Sequence, residues 1–99
     1  MTQYIEEHLA EGISLSALAQ VASLSPYHFS RAFKESLGLP PHRYVTARRM
    51  ERARNLLADP ELSVTRIGRD LGFVETSSFT TSFRKHVGTT PTAYRRNLA

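Results

Sequence analysis

Residues 63–95 read SVTRIGRDLGFVETSSFTTSFRKHVGTTPTAYR, and residues 14–44 read SLSALAQVASLSPYHFSRAFKESLGLPPHRY. The second stretch is an earlier copy of the first. Phe29, Phe33, Leu37, Gly38, Pro41 and Tyr44 recur fifty residues later as Phe79, Phe83, Val87, Gly88, Pro91 and Tyr94. Upstream of these, Ser14, Leu15, Leu18 and Ala19 match Ser63, Val64, Ile67 and Gly68 at an offset of forty-nine. The slip of one residue falls between the two blocks, where a turn tolerates an insertion best.

Each copy has the pattern of a short helix, a tight turn and a longer helix. Apolar residues recur at three- and four-residue spacing, with Gly and Pro between the periodic runs. Ser14 and Ser63 are positioned to cap the short helices, and Ser25-Pro26 and Thr90-Pro91 each place a capping residue before a proline at the first helical position. Ala19 and Gly68 are small where the short helix must approach the long one. The long helices are amphipathic with polar outer faces. That combination predicts helix-turn-helix units rather than a plain helical bundle.

Working outward, the pattern predicts a first helix over about Gln3–Glu11 and a long helix from Pro41 to Ala58. The short helices should bury Leu15, Leu18, Ala19 and Ala22 in the first copy, and Val64, Ile67 and Leu71 in the second. The long helices should bury Phe29, Ala32, Phe33 and Leu37, and Phe79, Phe83 and Val87. Tyr44, Ala47, Met50, Ala53 and Leu57 form the stripe of the connecting helix, and Tyr94 and Leu98 face inward at the end. The fold class is all-α: seven helices forming two helix-turn-helix subdomains, 1–40 and 59–99, joined by a linker helix, 41–58. That linker would be about 27 Å long at 1.5 Å per residue. A single helix-turn-helix usually dimerises to reach groove segments about 34 Å apart, so a tandem pair could reach both in one chain.

Thirteen Lys and Arg oppose nine Asp and Glu in these 99 residues, and the distribution is uneven. Residues 1–12 hold three acids and no base; the remainder carries all the bases against six acids. Eleven of the bases are Arg, which suits bidentate contacts to phosphate and guanine. There is no cysteine. No apolar run reaches membrane-spanning length, and no signal-peptide core is present. His8, His28, His42 and His86 lack metal-ligand spacing, and no Gly-rich phosphate loop or nucleophile elbow occurs. No metal, cofactor or catalytic residue is predicted, and the chain reads as a non-enzyme.

The stretches 15–38 (LSALAQVASLSPYHFSRAFKESLG), 47–57 (ARRMERARNLL) and 63–95 together resemble the AraC/XylS family of bacterial transcription regulators over essentially the whole chain. The resemblance implies a seven-helix domain that inserts two recognition helices, 26–37 and 76–87, into successive major grooves of promoter DNA. It also implies a cytoplasmic, nucleoid-associated regulator that works with RNA polymerase. Any ligand-sensing domain would lie outside this chain, which then reads as an excised C-terminal part or, alternatively, as a small stand-alone regulator. Alternatives are a helical protein-interaction module and the DNA-binding part of a recombinase or transposase.

Helical geometry selects the reading face. With Phe29 at 0° and about 100° per residue, the core lies near 20° and the outward direction near 200°. Arg31 falls at about 200°, Tyr27 at about 160° and Lys34 at about 140°. The family's base-contacting positions map onto Tyr27, Ser30 and Arg31. In the second copy Ser77, Thr81 and Arg84 point outward, with Thr76, Ser78 and Thr80 nearby. The predicted base contacts are Tyr27, Ser30, Arg31, Ser77, Ser78 and Thr81. The predicted phosphate contacts are Ser25, Lys34, Thr76, Thr80, Arg84 and Lys85. Two departures from the family pattern, Thr81 where many members carry Arg and Glu75 in place of a short capping residue, predict weaker readout by the second helix. Thr76 is the substitute cap.

Overall fold

A computed structural model describes residues 1–98. Among them are seven helices and no strand: α1 Thr2–Glu7, α2 Leu15–Val21, α3 Pro26–Leu37, α4 Pro41–Leu57, α5 Val64–Asp70, α6 Thr76–Val87 and α7 Pro91–Arg96. They form two compact units, Met1–Arg48 and Arg49 onward, divided within α4.

The caps form as the sequence predicts in four places. The hydroxyls of Ser14, Ser25, Ser63 and Thr90 accept from the amides of Ala17, His28, Arg66 and Ala93 at 3.0–3.2 Å. Each bond satisfies one amide that has no partner within its helix.

α1 is shorter than predicted, ending at Glu7 rather than near Glu11. At the end of α1 the His8 Nδ1 donates to the Tyr4 carbonyl at 2.7 Å, the acceptor that the His8 amide would use in a continuing helix. The His8 amide turns to the Ile5 carbonyl instead, and tight turns follow at Glu11 and Ile13. Leu9 is still fully buried.

The first core comprises Ile5, Leu9, Leu18, Ala19, Phe29, Phe33 and Val45, with Tyr4, Ile13, Ala22 and Tyr44 against it. The second comprises Met50, Ala53, Leu57, Ile67, Leu71, Phe79 and Phe83, with Leu56, Leu62, Val64, Phe73, Val87 and Tyr94 against it. α4 therefore supplies Val45 to one core and Met50, Ala53 and Leu57 to the other. The predicted stripe needs correction at its start, because Ala47 is exposed and Val45 is buried. Leu15, Ala32, Leu37 and Leu98 are also exposed, against expectation. Leu37 shares its angular position on α3 with Val87 on α6, but only Val87 is covered by a neighbouring core. Leu37 and Leu24 instead border an open apolar groove of about 350 Å³ that also touches Met1, Ala22 and Phe33.

The repeat extends to ring geometry. Phe33 and Tyr44 meet edge-on with centroids 5.4 Å apart, and Phe83 and Tyr94 do so at 5.7 Å, both pairs at 74°. Edge-to-face packing suits the aromatic quadrupole and holds each long helix to the helix that follows its glycine.

Two side chains brace the units from outside the cores. Glu6 pairs with Arg48, joining α1 to α4 within the first unit. In the second, Arg95 donates from Nε to the Leu57 carbonyl at 3.0 Å, and from Nη2 to the carbonyls of Asp59 and Leu62. A guanidinium thus satisfies the C-terminal end of α4 and the loop after it, where the helix dipole favours a cation.

Candidate nucleic-acid interface

α3 and α6 are the second helices of the two helix-turn-helix units, packed on α2 and α5 respectively. In each, two phenylalanines one turn apart face the core, which leaves the opposite side free for a ligand. Phe29 and Phe33 direct Tyr27, Arg31 and Lys34 outward, and all three are exposed. Tyr27 is 65% exposed. It is held beside Arg31, whose Nη1 donates to the Tyr27 hydroxyl at 3.4 Å and whose guanidinium carbon lies 5.8 Å from the ring centroid. The guanidinium thereby lies over the aromatic ring, within cation–π distance. Ser30 is half-buried at the edge of this face.

The Ser25 hydroxyl is already occupied. It accepts from the His28 amide and shares a 2.7 Å hydrogen bond with His28 Nδ1. Tyr27 also meets the His28 ring edge-on at 5.7 Å. The start of α3 is therefore ordered before any ligand arrives.

On α6, Ser77, Ser78, Thr81, Arg84 and Lys85 are exposed, and Thr76 and Thr80 are half-buried. Thr80 occupies the same edge position as Ser30. Thr76 does not cap the helix. Glu75 holds the N-cap position with no side-chain cap bond, and the Thr76 hydroxyl donates to Thr65 Oγ1 on α5 at 3.3 Å. The reason is angular: Thr76 lies about 40° from the core direction of α6, so its side chain turns towards α5. Ser77, on the outward face, donates to Glu75 Oε2 in a long contact of 3.4 Å.

Sequence reasoning passed over one further feature. Val74, in the turn before α6, is 99% exposed. Its signal was the change of repeat offset from forty-nine to fifty, which locates one extra residue in that turn. Arg49, which the sequence already offers as a brace between the long helix and its neighbours, is found in that position. Its guanidinium lies 5.8 Å from the Phe73 ring centroid, and desolvation holds its pKa below the usual arginine value. It braces the turn between α5 and α6 from α4.

Among the described residues, no three His, Asp or Glu side chains gather as a metal ion would require. No helix among the described residues is long and apolar enough to cross a membrane.

A helix-turn-helix domain family matches residues 18–97. The regulatory protein PocR of Salmonella typhimurium is 40% identical over 96 residues, which is 97% of this chain and 32% of PocR. The chain thus spans about a third of that relative. The C-terminal domain of the two-component response regulator yesN from Fusobacterium nucleatum superimposes with a TM-score of 0.91 at 35% identity, covering 95% of this chain and 92% of that one. The DNA-binding domain of the global transcriptional factor AdpA, solved in complex with a target DNA, gives the same TM-score at 29% identity, covering 97% and 86%. The chain belongs to the AraC-type helix-turn-helix family, the DNA-binding domains of bacterial transcription regulators.

Proposed function

We propose that this domain reads double-stranded promoter DNA with α3 as the main reader and α6 as a weaker one. The observation that carries the asymmetry is the Tyr27–Arg31 pair, ordered and exposed on α3, set against a row of hydroxyls on α6. Arg31 contacts a guanine edge in bidentate fashion, a contact that discriminates by about 1–3 kcal/mol. Tyr27 supports Arg31 and touches a thymine methyl or a phosphate. Ser30, Ser77, Ser78 and Thr81 meet base edges, where hydroxyls donate or accept with little selectivity. Lys34, Arg84 and Lys85 bind phosphate, assisted by Thr80 and by Ser25 and Thr76 at the helix starts.

Two-point engagement of successive major grooves is supported by the repeat and by one uninterrupted helix, α4, that contributes to both cores. Subdomains 1–40 and 59–99 then act as the two readers, with 41–58 between them. The whole regulator works in the cytoplasm at the nucleoid, contacts RNA polymerase and senses its effector outside this domain.

Selection of bound sequences from a random duplex library tests the central assignment. Arg31→Ala should erase the preference at one guanine position. Uniformly weaker binding with an unchanged preference would refute the role of Arg31. Lys34→Ala should instead weaken binding to all sequences and lower the salt slope by about 0.9.

A further inference from the structure

The turn before α6 differs from the turn before α3 by one residue, and the backbone locates it. The Leu24 amide donates to the Ala19 carbonyl at 2.9 Å, and the Phe73 amide donates to the Gly68 carbonyl at 3.0 Å. These equivalent bonds keep the offset at forty-nine through Phe73. The N-caps are Ser25 and Glu75, an offset of fifty. The inserted residue is Val74, and the residue it delivers to the N-cap is Glu75.

The two caps behave differently. The Ser25 hydroxyl folds back onto the helix it opens. Glu75 makes no cap bond, is exposed, and reaches Ser77 on the outward face. It is also the only charged residue between Asp70 and Arg84. Its neighbours on α6 are hydroxyls, which take a donor or an acceptor equally well. Discrimination at the start of α6 therefore falls to a single carboxylate.

We infer that Glu75 is a specificity-determining residue that selects cytosine at the base pair facing the N-terminus of α6. A carboxylate only accepts hydrogen bonds. In the major groove it is repelled by phosphates, by guanine O6 and N7 and by thymine O4, and satisfied only by the amino groups of cytosine and adenine. In a base pair the adenine amino group lies between two acceptors, its own N7 and thymine O4, whereas the cytosine N4 has an acceptor, guanine O6, on one side alone. Cytosine is therefore the base this side chain tolerates best. The charge lowers affinity for DNA in general and concentrates binding on sites with the right base. This inference rests on the reading that α6 meets base edges.

The test is library selection with the 99-residue chain and its Glu75→Gln, Glu75→Ala, Ser77→Ala and Thr81→Ala variants. The unaltered chain should enrich cytosine about ten-fold at one position of the α6 half-site. Glu75→Gln should move that preference to adenine, whose N6 and N7 suit an amide. It should also tighten binding to unrelated sequences. Glu75→Ala should level the position, with thermal midpoints of both Glu75 variants close to that of the unaltered chain. The inference is overturned if both Glu75 variants keep the cytosine preference while Ser77→Ala or Thr81→Ala alters the selected site. If none of the four α6 variants changes the site while Arg31→Ala does, α6 reads no bases, and this inference falls together with the proposed role of α6.

Discussion

The two helix-turn-helix units share a plan and differ in completeness. In the second unit Phe79 and Phe83 are fully buried, while Phe29 and Phe33 in the first retain 4–5% exposure. The turn explains much of this. Phe73 packs on Phe79 with centroids 5.4 Å apart, whereas its counterpart Leu24 is 44% exposed beside the apolar groove. The recognition surfaces are graded the other way. The looser unit carries the ordered Tyr27–Arg31 pair and a working cap, and the tighter unit carries hydroxyls and an uncapped start. Core packing and surface chemistry have therefore diverged independently in the two copies, as they can when they occupy opposite faces of one amphipathic helix.

The contrast is sharpest where the short helix crosses the long one. A Cβ built on Gly68 would lie 3.0 Å from the Cβ, Cγ and Cδ2 of Phe79, whereas Ala19 already accommodates its methyl in the first unit. Gly68→Ala should therefore destabilise the second unit by about 1–3 kcal/mol, the range for overpacking a filled core, despite the better helix propensity of alanine. Ala19→Gly should cost about 1 kcal/mol through propensity, plus the lost contact of its buried methyl. Denaturant unfolding of both variants checks this. A neutral Gly68→Ala would mean that the second unit is no tighter than the first.

The turns differ in the same way. Gly72 has φ 93°, and the equivalent Ser23 is held at φ 58°, the only non-glycine residue with positive φ among the described residues. A side chain in that left-handed conformation costs about 1–2 kcal/mol, partly offset by the roughly 0.5–1 kcal/mol of chain entropy that glycine forfeits on folding. Ser23→Gly should accordingly raise stability by up to about 1 kcal/mol, and Gly72→Ala should lower it by a similar amount. Thermal unfolding would show midpoint shifts of opposite sign. If both lowered the midpoint, a side-chain contact of Ser23 would have to outweigh its backbone strain.

Much of this was legible in sequence because it depends on local spacing. The phenylalanine pairs, the glycine stops and the Ser and Thr caps are read from intervals of three and four residues. The outward placement of Tyr27, Arg31 and Lys34 follows from the same angular arithmetic. What escaped depends on competition for a particular atom or on tertiary neighbours. The end of α1 lies where the His8 amide turns to the Ile5 carbonyl and the chain enters tight turns. The bond from Thr76 to Thr65 spans eleven residues, and Arg95 reaches back thirty-eight to Leu57. Leu37 and Val87 match as apolar repeat positions, yet only Val87 packs against its core. Periodicity identifies which face a residue occupies and leaves open whether a neighbour arrives to cover it.

The smallest expected effects concern the caps, and they separate stability from recognition. Ser25 satisfies the His28 amide, so Ser25→Ala should cost about 1 kcal/mol in the first unit. The Glu75 carboxylate satisfies no amide, so Glu75→Ala should cost only the favourable placement of an anion at a helix start, about 0.3–0.5 kcal/mol in so exposed a position. Glu75→Asp is the informative third variant. The shorter carboxylate can reach back to the amide of Ser77 or Ser78, which would add about 1 kcal/mol and withdraw the charge from the outward face. Thermal unfolding should therefore rank the unaltered chain below Glu75→Asp and slightly above Glu75→Ala. If Glu75→Ala were as costly as Ser25→Ala, the carboxylate would be capping the helix after all, and its freedom to face a base would be lost.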